Sequence, residues 1–162
     1  HNSRKSTLAR IGITMYGLHP DINTPLPYIL TPVMELKAIV SEVKKIYPGD
    51  CVSYGRTYEA NKEINVATVT VGYADGYSRL LSSKGEVLLK GEKCRIIGRI
   101  CMDQLMIDIS NLHNINAGDV VTLIGIDNKA SISADEVAKK YDTIGYEVVC
   151  GISKRVPRIY IE

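Results

Sequence analysis

Three short segments of this chain combine glycine with side chains that can move protons or bind anions. The first is Ser53-Tyr54-Gly55, where a phenol lies at the end of a short apolar run. The second, Gly72 to Arg79, surrounds an Asp-Gly pair with tyrosines and an arginine, and the third, Gly98 to Gln104, reads Gly-Arg-Ile-Cys-Met-Asp-Gln. Phenols and carboxyl groups are general acids and bases, while guanidinium and backbone N–H groups bind carboxylates and phosphates. The three segments are therefore candidates for an active site.

Each segment also has a purely structural interpretation. The Asp75-Gly76 pair fits an ordinary hairpin turn, the third segment fits a bulged edge strand, and Ser53-Tyr54-Gly55 fits the end of any strand. A tyrosine with its ordinary pKa of about 10 is a poor base at neutral pH unless a nearby cation stabilises its phenolate. Spacing alone leaves the catalytic and structural alternatives open.

The composition excludes several classes of protein. The 162 residues are 45% hydrophobic, with 20 Lys or Arg against 18 Asp or Glu, so the chain is neither intrinsically disordered nor basic enough to indicate a nucleic-acid partner. No segment approaches the roughly 20 apolar residues of a membrane span, so we expect no membrane partner. Four cysteines without a C-x-x-C pair and only three histidines offer no zinc spacing. We expect no metal, reduced thiols and a cytoplasmic location.

The elements that must position these segments are mostly β-strands. Alternation of polar and apolar residues predicts a strand that begins at Met34 and stops before the turn Pro48-Gly49-Asp50. Pro followed by Gly is typical of a type II turn. Further β-rich runs, separated by Gly, Asp and Asn, are residues 51–54, 64–71, 86–90, 94–100, 104–109, 120–124 and 155–161. Many short strands at close spacing predict a mainly β fold, either a barrel or a sandwich.

One or two short helices complete the predicted elements. Ser133 followed by Glu136 forms a capping-box pattern, which predicts a helix from about Ala134 to Tyr141. Lysines near the end of that segment suit the negative end of the helix dipole. Residues 144–149 are compatible with a second helical turn.

A linker is indicated by the four prolines that fall between residues 17 and 32. We therefore predict a domain boundary there, which separates residues 1–30 from a β domain of residues 31–162.

Taken together, these segments resemble one family, the alanine racemases that depend on pyridoxal 5′-phosphate (PLP). The resemblance covers nearly the whole chain, from Arg10 to Ile161. It rests on Arg10-Ile11-Gly12-Ile13 with Met15-Tyr16-Gly17, Pro48-Gly49 leading to Val52-Ser53-Tyr54-Gly55, Gly72 to Gly76, Gly98 to Gln104, and Tyr146-Glu147-Val148 before Arg155-Val156-Pro157-Arg158. One such motif is weak evidence, but five in the family's order and with similar spacing are strong.

The resemblance implies a fold in two parts. Residues 1–30 would be a remnant of the PLP-binding, TIM-like barrel, truncated here and ending in its last strand at about Ala9 to Tyr16. Residues 31–162 would be the β-barrel-like C-terminal domain. The lysine that forms a Schiff base with PLP lies near the start of the family's barrel, so none of the lysines here matches it. The chain alone is expected to be inactive, and the full-length enzyme to be a homodimer.

The resemblance also implies which residues of this chain contact PLP. Arg10 would donate a hydrogen bond to the pyridine nitrogen, and because a guanidinium stays protonated, that nitrogen would stay unprotonated and the cofactor would be a weaker electron sink. Backbone N–H groups of Gly12 and Ile13, with the hydroxyl of Tyr146, would bind the phosphate. Without the resemblance, close packing of a barrel strand would explain Gly12.

Racemisation needs acid and base groups on both faces of the substrate. By resemblance, Tyr54 is the base opposite the lysine and acts in the partner subunit's site, where an arginine of the barrel lowers its pKa. Met102 would donate its backbone N–H to the substrate carboxylate, and Asp103 would support that loop. Tyr73, Arg79 and Ile144 would line the entrance, together with Tyr146.

The expected reaction is interconversion of L- and D-alanine, because phenols narrow the pocket and relatives that racemise serine tend to carry a smaller polar residue at Tyr146. A serine or broader-specificity racemase of the same family is the nearest alternative. A related PLP-dependent decarboxylase is less compatible with Tyr54 in a Ser-Tyr-Gly strand end. A non-catalytic β-barrel interaction module is what composition alone would favour.

Overall fold

The computed structural model describes residues 7–21 and 26–161. The chain forms two compact units, residues 1–34 and 35–162. Among the described residues no helix has the length and apolar character to cross a bilayer.

The first unit contains a short 3₁₀ helix, Ile13–Tyr16, in the segment predicted as the last strand of a TIM-like barrel. The strand prediction for residues 9–16 is therefore wrong. A barrel strand bonds to neighbouring strands, but the described part of this unit contains no strand, so the backbone forms local bonds instead. The Met15 N–H donates to the Gly12 carbonyl (3.1 Å), and the Gly17 N–H donates to the Thr14 carbonyl (3.1 Å).

The second unit is mainly β, as predicted. Its strands are β1 (Leu36–Ile46), β2 (Cys51–Val52), β3 (Tyr58–Glu59), β4 (Ile64–Val69), β5 (Glu86–Leu89), β6 (Glu92–Ile97), β7 (Leu105–Asp108), β8 (Val120–Asp127) and β9 (Ala130–Ile132). Adjacent strands run in the order β1-β4-β7-β6-β5-β8-β9, and β1 also pairs with β8. That additional pairing closes the sheet into a barrel, with β9 attached outside the ring. Strands β2 and β3 form a separate hairpin.

Closure depends on strand β1, which is shared between two neighbours. Its first residues, Leu36 to Ile39, pair with β8, and its remainder, from Val40 to Ile46, pairs with β4. Register shifts at Leu36/Lys37 and Val40/Glu42 bend the strand. Such bulges increase local twist and curvature, which is what a small closed barrel requires.

The hydrophobic core of the β domain is built from aliphatic side chains of the barrel strands and of the turns between them. The largest of those that are almost completely buried are Leu81, Leu88, Leu89, Ile96, Ile100, Leu105, Ile107, Leu123, Val40, Val66, Val69 and Val87. Each such side chain contributes about 1.5–3 kcal/mol by leaving water. The β domain therefore has a substantial core of its own.

Two helices follow the barrel. Helix α1, Ala134–Lys139, begins with the predicted capping box: the Glu136 N–H donates to Ser133 Oγ (3.0 Å), and the Ser133 N–H donates to Glu136 Oε2 (2.7 Å). It ends two residues before the predicted Tyr141. Helix α2, Gly145–Gly151, lies where a second helical turn was expected. The predicted turn at Pro48-Gly49 is also present, since the Asp50 N–H bonds to the Tyr47 carbonyl (2.9 Å) and Gly49 has φ of 91°.

The predicted strand at residues 155–161 does not form, and this prediction is wrong. Pro157 cannot donate to a ladder, and the closed ring leaves little free edge to pair with. Ile159, Tyr160 and Ile161 are 84–92% exposed. The other predicted strands are present, with their ends shifted by at most three residues. The two short strands β3 and β9 were not predicted.

Candidate active site

An open groove of about 650 Å³ lies on the surface of the β domain. It is lined by Glu42, Lys44, Ile46, Asp50, Cys51, Val52, Ser53, Tyr54, Thr68, Cys101, Gln104 and Met106. The lining joins two of the three segments identified from the sequence, 53–55 and 98–104. Tyr54 is the only predicted site residue among the groove-lining positions; Met102 and Asp103 belong to the same loop as Cys101 and Gln104.

Tyr54 is held by a strained turn directly after strand β2. It begins a 3₁₀ turn, Tyr54–Arg56, between two residues with positive φ, Ser53 (68°) and Gly55 (73°). Left-handed conformations are uncommon for residues other than glycine, and they concentrate at functional sites. The phenol is 73% exposed, and among the described residues it has no hydrogen-bond partner. Its hydroxyl is therefore available to form a hydrogen bond with another molecule.

The turn is fixed to the segment 98–104 by polar contacts. Ser53 Oγ donates to the Arg99 carbonyl (2.5 Å) and lies 3.4 Å from Cys101 Sγ. A Cβ at Gly98, whose φ is 71°, would lie 2.8 Å from the Val52 carbonyl oxygen, so only glycine allows this approach. The backbone that carries Tyr54 is thus positioned by the backbone that precedes Met102.

Met102 lies in a tight loop between the barrel strands β6 and β7. The Cys101 N–H donates to the Gln104 carbonyl (2.9 Å), while the carbonyls of Cys101 and Met102 accept from the N–H groups of Tyr73 and Ala74 (both 3.0 Å). The Met102 N–H donates to no acceptor among the described residues, and the residue is 53% exposed. Because the Cys101 and Met102 carbonyls already accept hydrogen bonds, the free N–H of Met102 is a donor that can bind an anion such as a carboxylate.

An ion-pair cluster lies beside this loop. Arg155 donates from Nε to Asp75 Oδ1 (2.7 Å) and from Nη2 to Asp103 Oδ1 (2.5 Å). Partial burial favours a higher pKa for Asp75, but hydrogen bonds from Arg155 and from the Gly72 N–H lower that pKa overall. The same two carboxylates raise the pKa of Arg155. Arg155 was not predicted as a site residue, although it lies in the Arg-Val-Pro-Arg motif at residues 155–158.

The residues expected at the entrance lie on two 3₁₀ turns and at the start of one helix. Tyr73 is 46% exposed in the 3₁₀ turn Tyr73–Asp75, which bonds to the Met102 loop. Ile144 and Tyr146, 62% and 38% exposed, share the start of helix α2. Arg79 is exposed at the start of another 3₁₀ turn, Arg79–Leu81. None of these four lines the groove that contains Tyr54.

Helix α2 is attached to the Tyr73 turn. The Ser153 N–H donates to the Asp75 carbonyl (2.9 Å). A Cβ at Gly76, whose φ is 96°, would lie 2.1 Å from the Gly151 carbonyl oxygen. The turn and the end of α2 are therefore in backbone contact, and Tyr146 and Tyr73 belong to connected parts of the domain.

The predicted cofactor residues of the first unit present donors of the kind that a phosphorylated pyridine requires. Arg10 is exposed. Gly12 has open space where a Cβ would be, and among the described residues neither its N–H nor that of Ile13 donates to an acceptor. The Ile13 side chain is 6% exposed and anchors the start of the 3₁₀ turn. Unused backbone N–H groups at the start of a helical turn suit a phosphate, and an arginine suits a ring nitrogen. The donors fit PLP.

The β domain that carries the groove corresponds to a known class of protein domain. The family model described as "Alanine racemase, C-terminal domain" matches residues 33–160. The chain belongs to the alanine racemase family.

Individual relatives agree with this assignment. The chain is 49% identical over 155 residues to the alanine racemase of Desulfovibrio desulfuricans, covering 96% of this chain and 41% of that protein. It is 48% identical to the alanine racemase of Halothermothrix orenii, covering 94% of this chain and 40% of that protein. The chain thus spans about two fifths of the length of these curated relatives.

Solved structures match the fold closely. Alanine racemase from Bacillus anthracis with bound L-Ala-P superposes with a TM-score of 0.90 at 44% identity, covering 94% of this chain and 39% of that one. Alanine racemase from Bartonella henselae, which holds covalently bound pyridoxal phosphate, superposes with a TM-score of 0.84 at 34% identity, covering 93% of this chain and 40% of that one. These similarities confirm the mainly β fold and the family predicted from the motifs.

Proposed function

We propose that the full-length protein to which this chain belongs is a PLP-dependent isomerase that interconverts L- and D-alanine, with Tyr54 as one of two bases. The observation that carries the proposal is the exposed, unpartnered phenol of Tyr54, held in a strained turn against the segment that leads to Met102. Membership of the alanine racemase family supports the reaction class.

PLP, when bound, supplies an electron sink for the negative charge that develops at the substrate Cα. In the proposal Arg10 donates to its pyridine nitrogen and keeps that nitrogen unprotonated. The N–H groups of Gly12 and Ile13 and the hydroxyl of Tyr146 donate to its phosphate. These roles rest on the resemblance and on the free donors described above.

Tyr54 exchanges a proton at its hydroxyl with one face of the substrate Cα, and a lysine outside this chain serves the other face. A phenol needs a neighbouring cation to act as a base near neutral pH, and the proposal assigns that cation to the partner subunit of a homodimer. The 73% exposure of Tyr54 in this chain supports a role at a subunit interface.

The four cysteines are free thiols, which supports a reducing, cytoplasmic location.

Substrate selection is proposed to depend on the Met102 loop and the entrance residues. The Met102 N–H binds the substrate carboxylate, and Asp103 supports the loop. Tyr73, Arg79, Ile144 and Tyr146 restrict the space for a substrate side chain. A pocket narrowed in this way favours the methyl group of alanine over larger side chains, and serine is the competitor to be measured beside it.

The test is solvent exchange at the substrate α-proton, catalysed by the full-length protein. Wild type should racemise alanine faster than serine. Tyr54→Phe keeps the ring and removes the proton carrier, so loss of exchange in deuterated water should be about 10²–10⁴-fold in the affected step. By resemblance, that step is abstraction from L-alanine, while exchange from D-alanine should change far less.

A matched control is Tyr47→Phe, because Tyr47 is also an exposed tyrosine (55%) but does not line the groove. It should leave exchange from both enantiomers unchanged. A small loss shared equally by L- and D-alanine in Tyr54→Phe would assign Tyr54 to the wall of the pocket. A wild-type protein that binds PLP but racemises neither amino acid would contradict the proposed function.

A further inference from the structure

We infer that Arg155 is a positioning residue for substrate binding, because it holds the Met102 loop through Asp103 and anchors it to the Tyr73 turn through Asp75. The inference deepens the proposed function and rests on it, because Arg155 would keep the Met102 N–H in position to bind the substrate carboxylate. Nothing in the roles proposed above requires this arginine.

The contacts of Arg155 are divided between two acceptors on different loops. Its Nε binds Asp75 Oδ1 at 2.7 Å, and its Nη2 binds Asp103 Oδ1 at 2.5 Å. A guanidinium presents several donors in a fixed, planar fork, whereas an ammonium is a single point charge. Arginine can therefore hold two carboxylates at a set separation and angle, and lysine cannot reproduce this geometry.

The two carboxylates differ in how firmly they are held. The Asp75 side chain is 14% exposed and also accepts from the Gly72 N–H (2.8 Å), so it is a fixed point. The Asp103 side chain is 62% exposed, and Arg155 is its only hydrogen-bond or ion-pair partner among the described residues. Without Arg155, the Asp103 side chain, directly after Met102, would lose its only hydrogen-bond and ion-pair partner among the described residues.

Arg155 also links the loop to the segment after helix α2. The Ser153 N–H donates to the Asp75 carbonyl (2.9 Å), and Arg158 binds the carbonyls of Ile152 (2.9 Å) and Val156 (2.6 Å). The residues on both sides of Arg155 are thus held by hydrogen bonds, one between backbone groups and the others from the Arg158 side chain to backbone carbonyls. The guanidinium projects from a rigid turn, which is what a positioning residue requires.

Stability alone does not account for this cluster. Arg155 and Asp103 are both well exposed, and exposed ion pairs contribute little to folding. The reaction rate is far more sensitive to the position of a binding group, because a displacement of about 1 Å can lower the rate by up to 10²-fold. We therefore expect the loss of Arg155 to affect substrate binding much more than melting temperature.

The experiment compares Arg155→Met and Arg155→Lys with wild type in the full-length holoenzyme. Arg155→Met should raise KM for both alanine enantiomers by roughly 10-fold or more, with a smaller change in kcat and unchanged PLP affinity. Arg155→Lys should recover only part of the loss. The control Lys45→Met, which breaks the exposed Lys45–Glu63 pair (2.6 Å), should leave KM unchanged.

A second measurement follows backbone hydrogen exchange in residues 99–104, which needs no catalytic activity. Faster exchange in Arg155→Met than in Lys45→Met would support the inference. Unchanged exchange, or a melting temperature that falls while KM stays constant, would overturn it and leave Arg155 with a structural role. If wild type does not racemise alanine, the proposed function fails, and hydrogen exchange still decides whether Arg155 holds the loop.

Discussion

Replacing Gly72 by alanine tests the close contact on which the Met102 loop depends. Gly72 has φ of −150° and ψ of −164°, an extended conformation that any residue adopts, so an added methyl causes no strain in the backbone itself. Its Cβ would, however, lie 2.3 Å from the Cys101 carbonyl oxygen and 2.4 Å from that of Met102. Ordinary contacts begin near 3.4 Å, so the two segments must separate by about 1 Å.

The size of the effect follows from these distances. Overpacking against backbone costs about 1–3 kcal/mol. The hydrogen bonds from the Tyr73 and Ala74 N–H groups to Cys101 and Met102, both 3.0 Å, would lengthen as the segments separate, and each is worth about 1 kcal/mol. We expect Gly72→Ala to be destabilised by about 2–4 kcal/mol. Displacement of the loop by about 1 Å should lower kcat/KM for alanine up to 10²-fold.

Denaturant unfolding and steady-state racemisation of the full-length protein provide the two measurements. The control is Gly151→Ala, where the added Cβ would meet its nearest atom, the Gly76 carbonyl oxygen, at an ordinary 3.7 Å. That variant lies in helix α2, where alanine is preferred to glycine, and it should be at least as stable as wild type. If Gly72→Ala unfolds at the same denaturant concentration as wild type and keeps its kcat/KM, the Gly72 contact does not position the Met102 loop.

Three further predictions concern stability, pH and thiol reactivity. Leu105→Ala, at a position with 0% exposure, should destabilise the protein by about 2–5 kcal/mol in denaturant unfolding, whereas Ile126→Ala, 62% exposed, should change it by less than about 0.5 kcal/mol. The pKa of Asp75 is lowered in the folded state, so its contribution to stability is full above its ordinary pKa of 3.8 and is lost as the pH falls through the folded value; Asp75→Asn should therefore show a shallower loss of stability in acid than wild type. Burial raises the pKa of Cys94 to about 12, so iodoacetamide at about pH 8 should modify the exposed Cys150 and spare Cys94 until the protein is unfolded; equal labelling rates would contradict the buried position.

Local signals explain the parts of the fold that the sequence predicted. The capping box of Ser133 and Glu136 and the turn at Pro48-Gly49 each act within four residues, so their structures follow from nearby residue types. Alternation of polar and apolar residues identified β1, and β-rich runs separated by turn residues identified most of the other barrel strands. Strand β3 was not identified, because its two residues, Tyr58 and Glu59, do not lie in a β-rich run.

The two incorrect strand predictions show that a strand also needs a neighbouring strand to pair with. Residues 155–161 are a β-rich run, but the sheet is closed by the pairing of β1 with β8. Residues 9–16 were expected to form a barrel strand from the family resemblance, but the described part of their unit provides no partner strand. Pairing is a property of the whole fold, and a sequence window does not contain it.

The candidate site also has a part that sequence motifs predicted and a part that they could not predict. Tyr54 and the Met102 loop were identified because their motifs are continuous in sequence. The cluster of Asp75, Asp103 and Arg155 joins three separate segments, so no single motif contains it. Contacts of this kind require the coordinates, even when each residue lies in a recognised motif.

The sharing of strand β1 between β4 and β8 has a consequence for biosynthesis. During translation, β4 emerges soon after β1 and can pair with it. The first residues of β1 pair with β8, so Leu36 cannot pair until Ile124 has been synthesised. Until then the first half of β1 presents unpaired N–H and carbonyl groups together with the exposed side chain of Ile39 (49%), a combination that invites pairing with other chains. If translation pauses before residue 124, the nascent chain therefore has an open sheet. We expect chaperones to be needed most for this intermediate.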